Sequence, residues 1–251
     1  MLTYKLKIKS ISDSAYVQRK QINYSYAFRK LYKNFDKLTD PGFRSWVIKE
    51  FGLDSWDWAS LVMDVKVKVS QEETRKTKIL KKILELEEAL ELLKSKKRSK
   101  RSEKSFCKLF KSLSRNKGMY SKDIVFGGCK LLERVSKKGE DYLEAKEEYS
   151  KNRLLPIYSA GDADKKGNRK FRFDFENWTI NYNQNRNTHI SIEVFPAKNW
   201  QENLLKVQEL SKVKQLPVSV KLTKDHIYVI FDESILNGYK LNEKLFVKND
   251  K

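Results

Sequence analysis

Thr3-Tyr4-Lys5-Leu6-Lys7-Ile8-Lys9 alternates apolar and basic side chains. A period of two is a half-buried β-strand with one lysine-rich face. The period then changes. Val17, Tyr24, Phe28, Leu31 and Phe35 recur at spacings of 7, 4, 3 and 4, which is one face of a helix. Short β runs return only at Lys170–Phe175, Trp178–Tyr182, His189–Phe195, Val218–Leu222 and Ile227–Phe231, with one helix, Trp200–Val213, among them. The first strand has no β partner near it in sequence. It therefore pairs with the distant set, and the helical stretch between is an insertion.

Inside that stretch, Asp40-Pro41-Gly42 breaks the first helix from a short one over 43–51. Asp54 or Ser55 can cap the next helix, which carries Trp58, Leu61, Val62, Val65 and Val69. Val65, Val67 and Val69 also alternate, so helix and strand both remain open there. Ile79, Ile83, Leu86, Leu90 and Leu93 step by 4, 3, 4 and 3, a two-heptad seam. Phe106, Leu109, Phe110 and Leu113 form a second amphipathic stretch. Between them, 94–104 is strongly basic, so the expectation is an intramolecular helical hairpin with a basic tip. Residues 122–149 read as helical, interrupted at Phe126-Gly127-Gly128. The fold class is α+β: a small OB-like β-barrel with a helical domain inserted after its first strand. The expected boundaries are 1–12, 13–150 and 151–251.

The chain has 251 residues, with 53 Lys plus Arg against 33 Asp plus Glu, a net charge of +20. Such an excess speaks about partners, and nucleic acid is the commonest cellular polyanion. There is no apolar run long enough for a membrane span and no leader-like N-terminus, so a cytoplasmic setting without membrane attachment is expected. Cys107 and Cys129 form no CxxC, which excludes a disulfide framework and a four-cysteine zinc site. His189 and His226 lie in separate strands without cysteine neighbours. No phosphate-loop, dinucleotide or HExxH motif occurs, and nothing assembles a nucleophile with a base. The expectation is a non-enzyme with no cofactor and no metal.

Three segments combine cations with glycine, asparagine or aromatics. In the first, 23–33, Tyr24 and Phe28 read as core, while Tyr26, Arg29, Lys30 and Lys33 are candidates for stacking and phosphate contact. In the second, Gly127 and Gly128 permit close backbone approach to an anion and Lys130 adds a charge. The third is a turn-rich loop feeding a strand, with Lys165, Lys166, Asn168, Arg169, Lys170 and Arg172. There Lys170 and Arg172 are expected on one face, and Phe171, Phe173 and Phe175 on the other. Arg153 joins this set. Lys97, Arg98, Lys100 and Arg101 at the hairpin tip, with Asn185 and Arg186 at a polar β-turn, are candidates for DNA or duplex contact.

Five stretches in order, Tyr24–Tyr32, Phe51–Trp56, Val125–Gly128, Arg153–Gly161 and Gly167–Phe171, resemble the N-terminal half of TnpB nucleases and their descendants, the type V CRISPR effectors. The resemblance implies a wedge domain with an inserted recognition domain. It further implies a structured guide RNA as partner, with target DNA, a CRISPR effector or a separate RuvC-bearing chain as additional ones. The family's RuvC carboxylates and CxxC zinc ribbon have no counterpart within these 251 residues, so cutting activity is not carried over. Cys129 stands where a basic residue is common. Three roles follow as expectations: a decoy that inhibits a CRISPR nuclease, an RNA-guided repressor, or half of a split effector. A basic scaffold binding an acidic protein surface is the alternative from a different class.

Overall fold

The computed structural model describes residues 1–95, 100–121, 125–184 and 188–236, the side chains of 100–102 and 235 excepted. The expectations at Lys97, Arg98, Asn185 and Arg186, and those on the side chains of Lys100 and Arg101, lie outside the described residues. The chain divides into two compact units, one built from residues 1–65 and 150–251 and the other from 66–149.

The first unit is organised by β1 (Leu2–Ile11). Tyr4 and Leu6 are buried while Lys5, Lys7 and Lys9 are turned the other way, as alternation requires. β1 lies in the middle of a seven-stranded antiparallel sheet formed with β2 (Ile157–Ser159), β5 (Phe171–Asp174), β6 (Thr179–Asn183), β7 (His189–Val194), β8 (Ser219–Leu222) and β9 (His226–Phe231). The strand order is β2-β8-β9-β1-β7-β6-β5. Residues Leu2 to Lys7 pair with β9, and Ile8 to Ile11 pair with β7. The register shifts between Ile8 and Ser10, so one strand serves two neighbours by bending at an irregularity. The distant pairing read from the sequence is therefore present. Among the described residues the strand order ends on β2 and β5, and no closed barrel is shown.

A two-residue pair, β3 (Gly161–Asp162) and β4 (Gly167–Asn168), leads into β5. Gly167 has φ +82°, and a Cβ there would lie 2.5 Å from the Ser211 hydroxyl oxygen, so only glycine fits. α7 (Gln201–Lys212) covers the apolar face with Leu204, Leu205, Val207 and Leu210. Its Gln208 accepts from the Phe175 N–H at 2.6 Å, and Asn203 donates to the Tyr4 hydroxyl at 2.7 Å.

α1 (Ser14–Lys33) and α2 (Pro41–Glu50) belong to this sheet unit, as do the first turns of α3 (Ser55–Lys94). The boundary thus falls near residue 65 rather than after the first strand. The reason is chemical. Ser25 and Gln21 of α1 bind the Leu155 backbone at 2.8 and 3.1 Å, and Tyr24, Phe28 and Leu31 are buried. α3 continues through Val65, Val67 and Val69 as helix, which settles the ambiguity there.

In the second unit, the later turns of α3 pack on α4 (Lys100–Tyr120). Ile83, Leu86, Leu90 and Leu113 are buried together, flanked by Ile79, Phe106 and Leu109. Lys117 pairs with Glu87 at 2.6 Å. The helical hairpin is intramolecular, as the short seam required. α5 (Cys129–Lys137) and α6 (Tyr142–Asn152) follow, joined by an Arg134–Asp141 ion pair at 2.6 Å. Among the described residues, no helix is long and apolar enough to cross a membrane.

Candidate functional site

At the β5 edge of the sheet, the start of α3 meets the segment 167–172. Two carboxylates fix this junction. Asp54 caps α3: its Oδ1 accepts from the N–H groups of Trp56 and Asp57 at 2.9 and 2.8 Å, and Asp57 Oδ2 accepts from the Asp54 N–H at 3.1 Å. This reciprocal arrangement is a capping box with aspartate in the second position. Asp57 also accepts from the Lys20 ammonium at 2.6 Å, and Lys20 donates to the Gly52 carbonyl at 3.1 Å. Lys170 completes the set, bonded to Asp54 and 3.6 Å from Asp57 Oδ1. Two cations and two anions are therefore interleaved where Lys20, Asp57 and Lys170 are all buried. Burial by itself would raise the Asp54 pKa, but the Lys170 ammonium and the Asp57 backbone N–H outweigh it and hold it below the ordinary value.

These contacts correct two expectations. Alternation puts Lys170 on a solvent face with Arg172, yet Lys170 is 5% exposed. It is drawn inward because Asp57 sits on the buried face of α3 with Leu61 and Val65 and needs a cation. Asn168 is 0% exposed. Its amide donates to the carbonyls of Ser159, Ala160 and Val218, and its oxygen accepts from Ser159 Oγ and the N–H groups of Lys170 and Phe171. Every polar position of that side chain is used within the chain, so Asn168 holds the loop and reaches no ligand.

Outside the buried network lies an open cleft of about 570 Å³, lined by Asp54, Ser55, Trp56, Arg169, Lys170, Arg172, Asn183 and Gln184. Trp56 is 41% exposed, and the Arg169 guanidinium lies over it, 3.3 Å from the ring centroid. Arg169 also pairs with Asp162. Arg172 donates to the carbonyls of Asn168 and Phe171, and among the described residues no carboxylate pairs with it. Partial burial lowers its pKa. Lys165 and Lys166 are exposed in the loop that precedes Arg169.

The α1 candidates form a separate patch. Tyr26 is 54% exposed with the Arg29 guanidinium 4.7 Å from its ring centroid, and Arg29 donates to the Arg153 carbonyl at 3.0 Å. Arg153 is itself half-buried. Lys30 lies 5.0 Å from the Trp46 ring, and Lys30 and Lys33 are both exposed. In the other unit, Gly127 and Gly128 both have positive φ, +98° and +97°, and precede α5, where Lys130 is exposed.

Sequence reasoning missed Trp56 and the two aspartates as site residues. The signal was available: Asp57 shares a face with Leu61 and Val65, and Lys20 shares one with Val17 and Tyr24. A charge on an apolar face demands a partner. Comparison of the chain with protein-family models, with curated proteins and with solved structures finds no match.

Proposed function

We propose that this chain binds structured RNA, and that the Trp56–Arg169–Arg172 cleft is a principal contact. The observation that carries this reading is the stack of the half-buried Arg169 guanidinium on the exposed Trp56 ring, beside a half-buried Arg172 with no carboxylate partner among the described residues. A phosphate would supply the anion that Arg172 lacks, while the planar stack offers a surface for a base or ribose. Asn183 and Gln184 add neutral hydrogen-bonding groups at the rim. The net charge of +20 supports a polyanionic partner.

The resemblance of five segments to the wedge and recognition region supports a guide-RNA scaffold as that RNA. Four of the five segments meet in one unit: Tyr24–Tyr32 touches 153–155, and Phe51–Trp56 touches 167–171. The bent β1, shared between two halves of the sheet, and α7 between β7 and β8 support an OB-like wedge. In this reading the protein holds RNA and leaves sequence reading to base pairing.

The test is purification of the full chain from its native host at moderate salt, followed by sequencing of copurified RNA. A defined structured RNA with a fixed end is expected. Recovery of no RNA, or only random ribosomal fragments, would overturn the proposal. With that RNA in hand, Trp56→Ala and Arg169→Ala should each weaken binding without shifting the unfolding midpoint. If about 6–10 phosphates are engaged, affinity should fall roughly 10³–10⁵-fold between about 50 and 200 mM salt.

A further inference from the structure

Away from the cleft, the other half of the sheet carries a row of side chains in register. Tyr158 of β2 stands opposite Lys221 of β8, Lys221 opposite Tyr228 of β9, and Tyr228 opposite Lys5 of β1. Four neighbouring strands thus present aromatic, cation, aromatic, cation in one line. Their chain neighbours Ile157, Leu222, Ile227 and Leu6 are buried in the core, so alternation turns this row to the opposite face. The Lys221 ammonium lies 5.6 Å from the Tyr158 ring centroid, and that of Lys5 lies 5.9 Å from Tyr228. Two residues along β1, Lys7 stands 5.5 Å from the ring of Phe195, which is 46% exposed. Lys9 follows, paired with Glu193 at 3.3 Å.

Charge on this face is lopsided. Among the described ion pairs, Lys9 is matched by Glu193, while Lys5, Lys7 and Lys221 have no carboxylate partner. The tyrosine rings are covered by ammonium groups near the outer limit of a cation–π contact, on flexible stems. A nucleobase can take the ring face and release the lysine to a phosphate. Strands lie about 4.8 Å apart, so the two tyrosines are separated by about 10 Å with Lys221 between them. Base, phosphate, base is the order of an extended strand. A duplex cannot use the rings, because its bases are already stacked inside.

We propose that the Tyr158–Lys221–Tyr228–Lys5 row is a stacking platform for an extended, single-stranded segment of nucleic acid. It is a second site, and it does not rest on the cleft. Its recognition is tolerant of sequence, since every base has a π-face.

The test uses the full chain and fluorescein-labelled oligouridylate and oligothymidylate of about 12 nucleotides, within the site sizes of single-strand-binding sheets. Binding is read by anisotropy at about 150 mM salt. Tyr158→Ala with Tyr228→Ala should weaken binding by roughly 5- to 150-fold for each stack removed. Tyr158→Phe with Tyr228→Phe keeps the rings and should bind as the native chain does. Lys5→Ala with Lys221→Ala should lower the salt slope by about one for each phosphate that is no longer neutralised. Binding of either oligomer that depends on the two rings supports stacking, whatever its sugar. Unchanged affinity in the double alanine variant would overturn the platform, as would equal competition by a duplex of the same length. If the alanine variant fails to fold, ultraviolet crosslinking of the native chain decides. Crosslinks on the peptides holding Tyr158 or Tyr228 support the proposal, and crosslinks only elsewhere refute it.

Discussion

Lys170→Met is the perturbation that most directly tests the junction between α3 and the sheet. It keeps the length of the side chain and removes the charge. At 3.6 Å and an effective dielectric of about 20, the attraction between Lys170 and Asp57 is about 4–5 kcal/mol. Part of this is returned, because the variant no longer has to desolvate an ammonium. The contact with Asp54 counts for less, since that side chain is 42% exposed and water replaces the missing partner. Deleting one member of a buried pair typically costs about 3–5 kcal/mol, and the lower end, about 3 kcal/mol, applies here. For a unit of this size that is a drop of roughly 6–12 °C in midpoint. The assay is urea unfolding followed by tryptophan fluorescence, for which Trp56 and Trp58 sit beside the network; the midpoint should fall with the slope unchanged. Adding Asp54→Asn removes one of the two anions that face Lys170 and keeps a good helix cap. The double variant should then be less destabilised than the two single costs imply, by about 1 kcal/mol or more. A Lys170→Met chain within about 0.5 kcal/mol of the native one would behave like a surface substitution. It would show that the buried network does not hold this junction.

Three further outcomes follow from the same geometry. Gly167→Ala places a Cβ 2.5 Å from the Ser211 hydroxyl oxygen at a φ of +82°, and should cost at least about 2 kcal/mol by urea titration. Leu86→Ala empties the centre of the α3–α4 seam and should cost about 2–5 kcal/mol; hydrogen exchange should show weaker protection within 79–113 while β1 and β9 keep theirs. Asp54 has a folded pKa below its ordinary 3.8, so its contribution is full above that value and fades as pH falls through the folded pKa. The Lys170→Met penalty should therefore shrink on acidification below about pH 4, and a penalty constant from about pH 7 to about pH 3 would contradict the assignment.

The regular parts of this chain were legible because their periods are clean. Alternation in 3–9 names a strand whose partners lie far away, and the pairing with β7 and β9 follows from having no nearer strand. The seam at 79–93 names a hairpin because it is too short to hold two chains. Closure was not legible: whether a sheet ends or joins its first strand depends on twist and on hydrogen bonds at its edges, which no period encodes. The short strands β2, β3 and β4 escaped for another reason. Two- and three-residue pairings held by Asn168 and Gly167 have no period to detect.

The site residues failed or succeeded on a subtler point. Alternation assigns Lys170 and Arg172 to one face, and it cannot say what covers that face. Asp57, placed on an apolar helix face by its spacing from Leu61, pulls Lys170 out of solvent, whereas among the described residues Arg172 meets carbonyls and no carboxylate. Residues 167–172 thus divide between holding and presenting: Gly167, Asn168 and Lys170 close the junction, and Arg169 and Arg172 line the cleft that this closure creates. A charge-reversal scan that treated every cation here alike would read the unfolding of a Lys170 variant as weakened ligand binding. The two roles separate only when stability and binding are measured on the same variants. A cation of the cleft should then move binding alone, and a cation of the network should move both together.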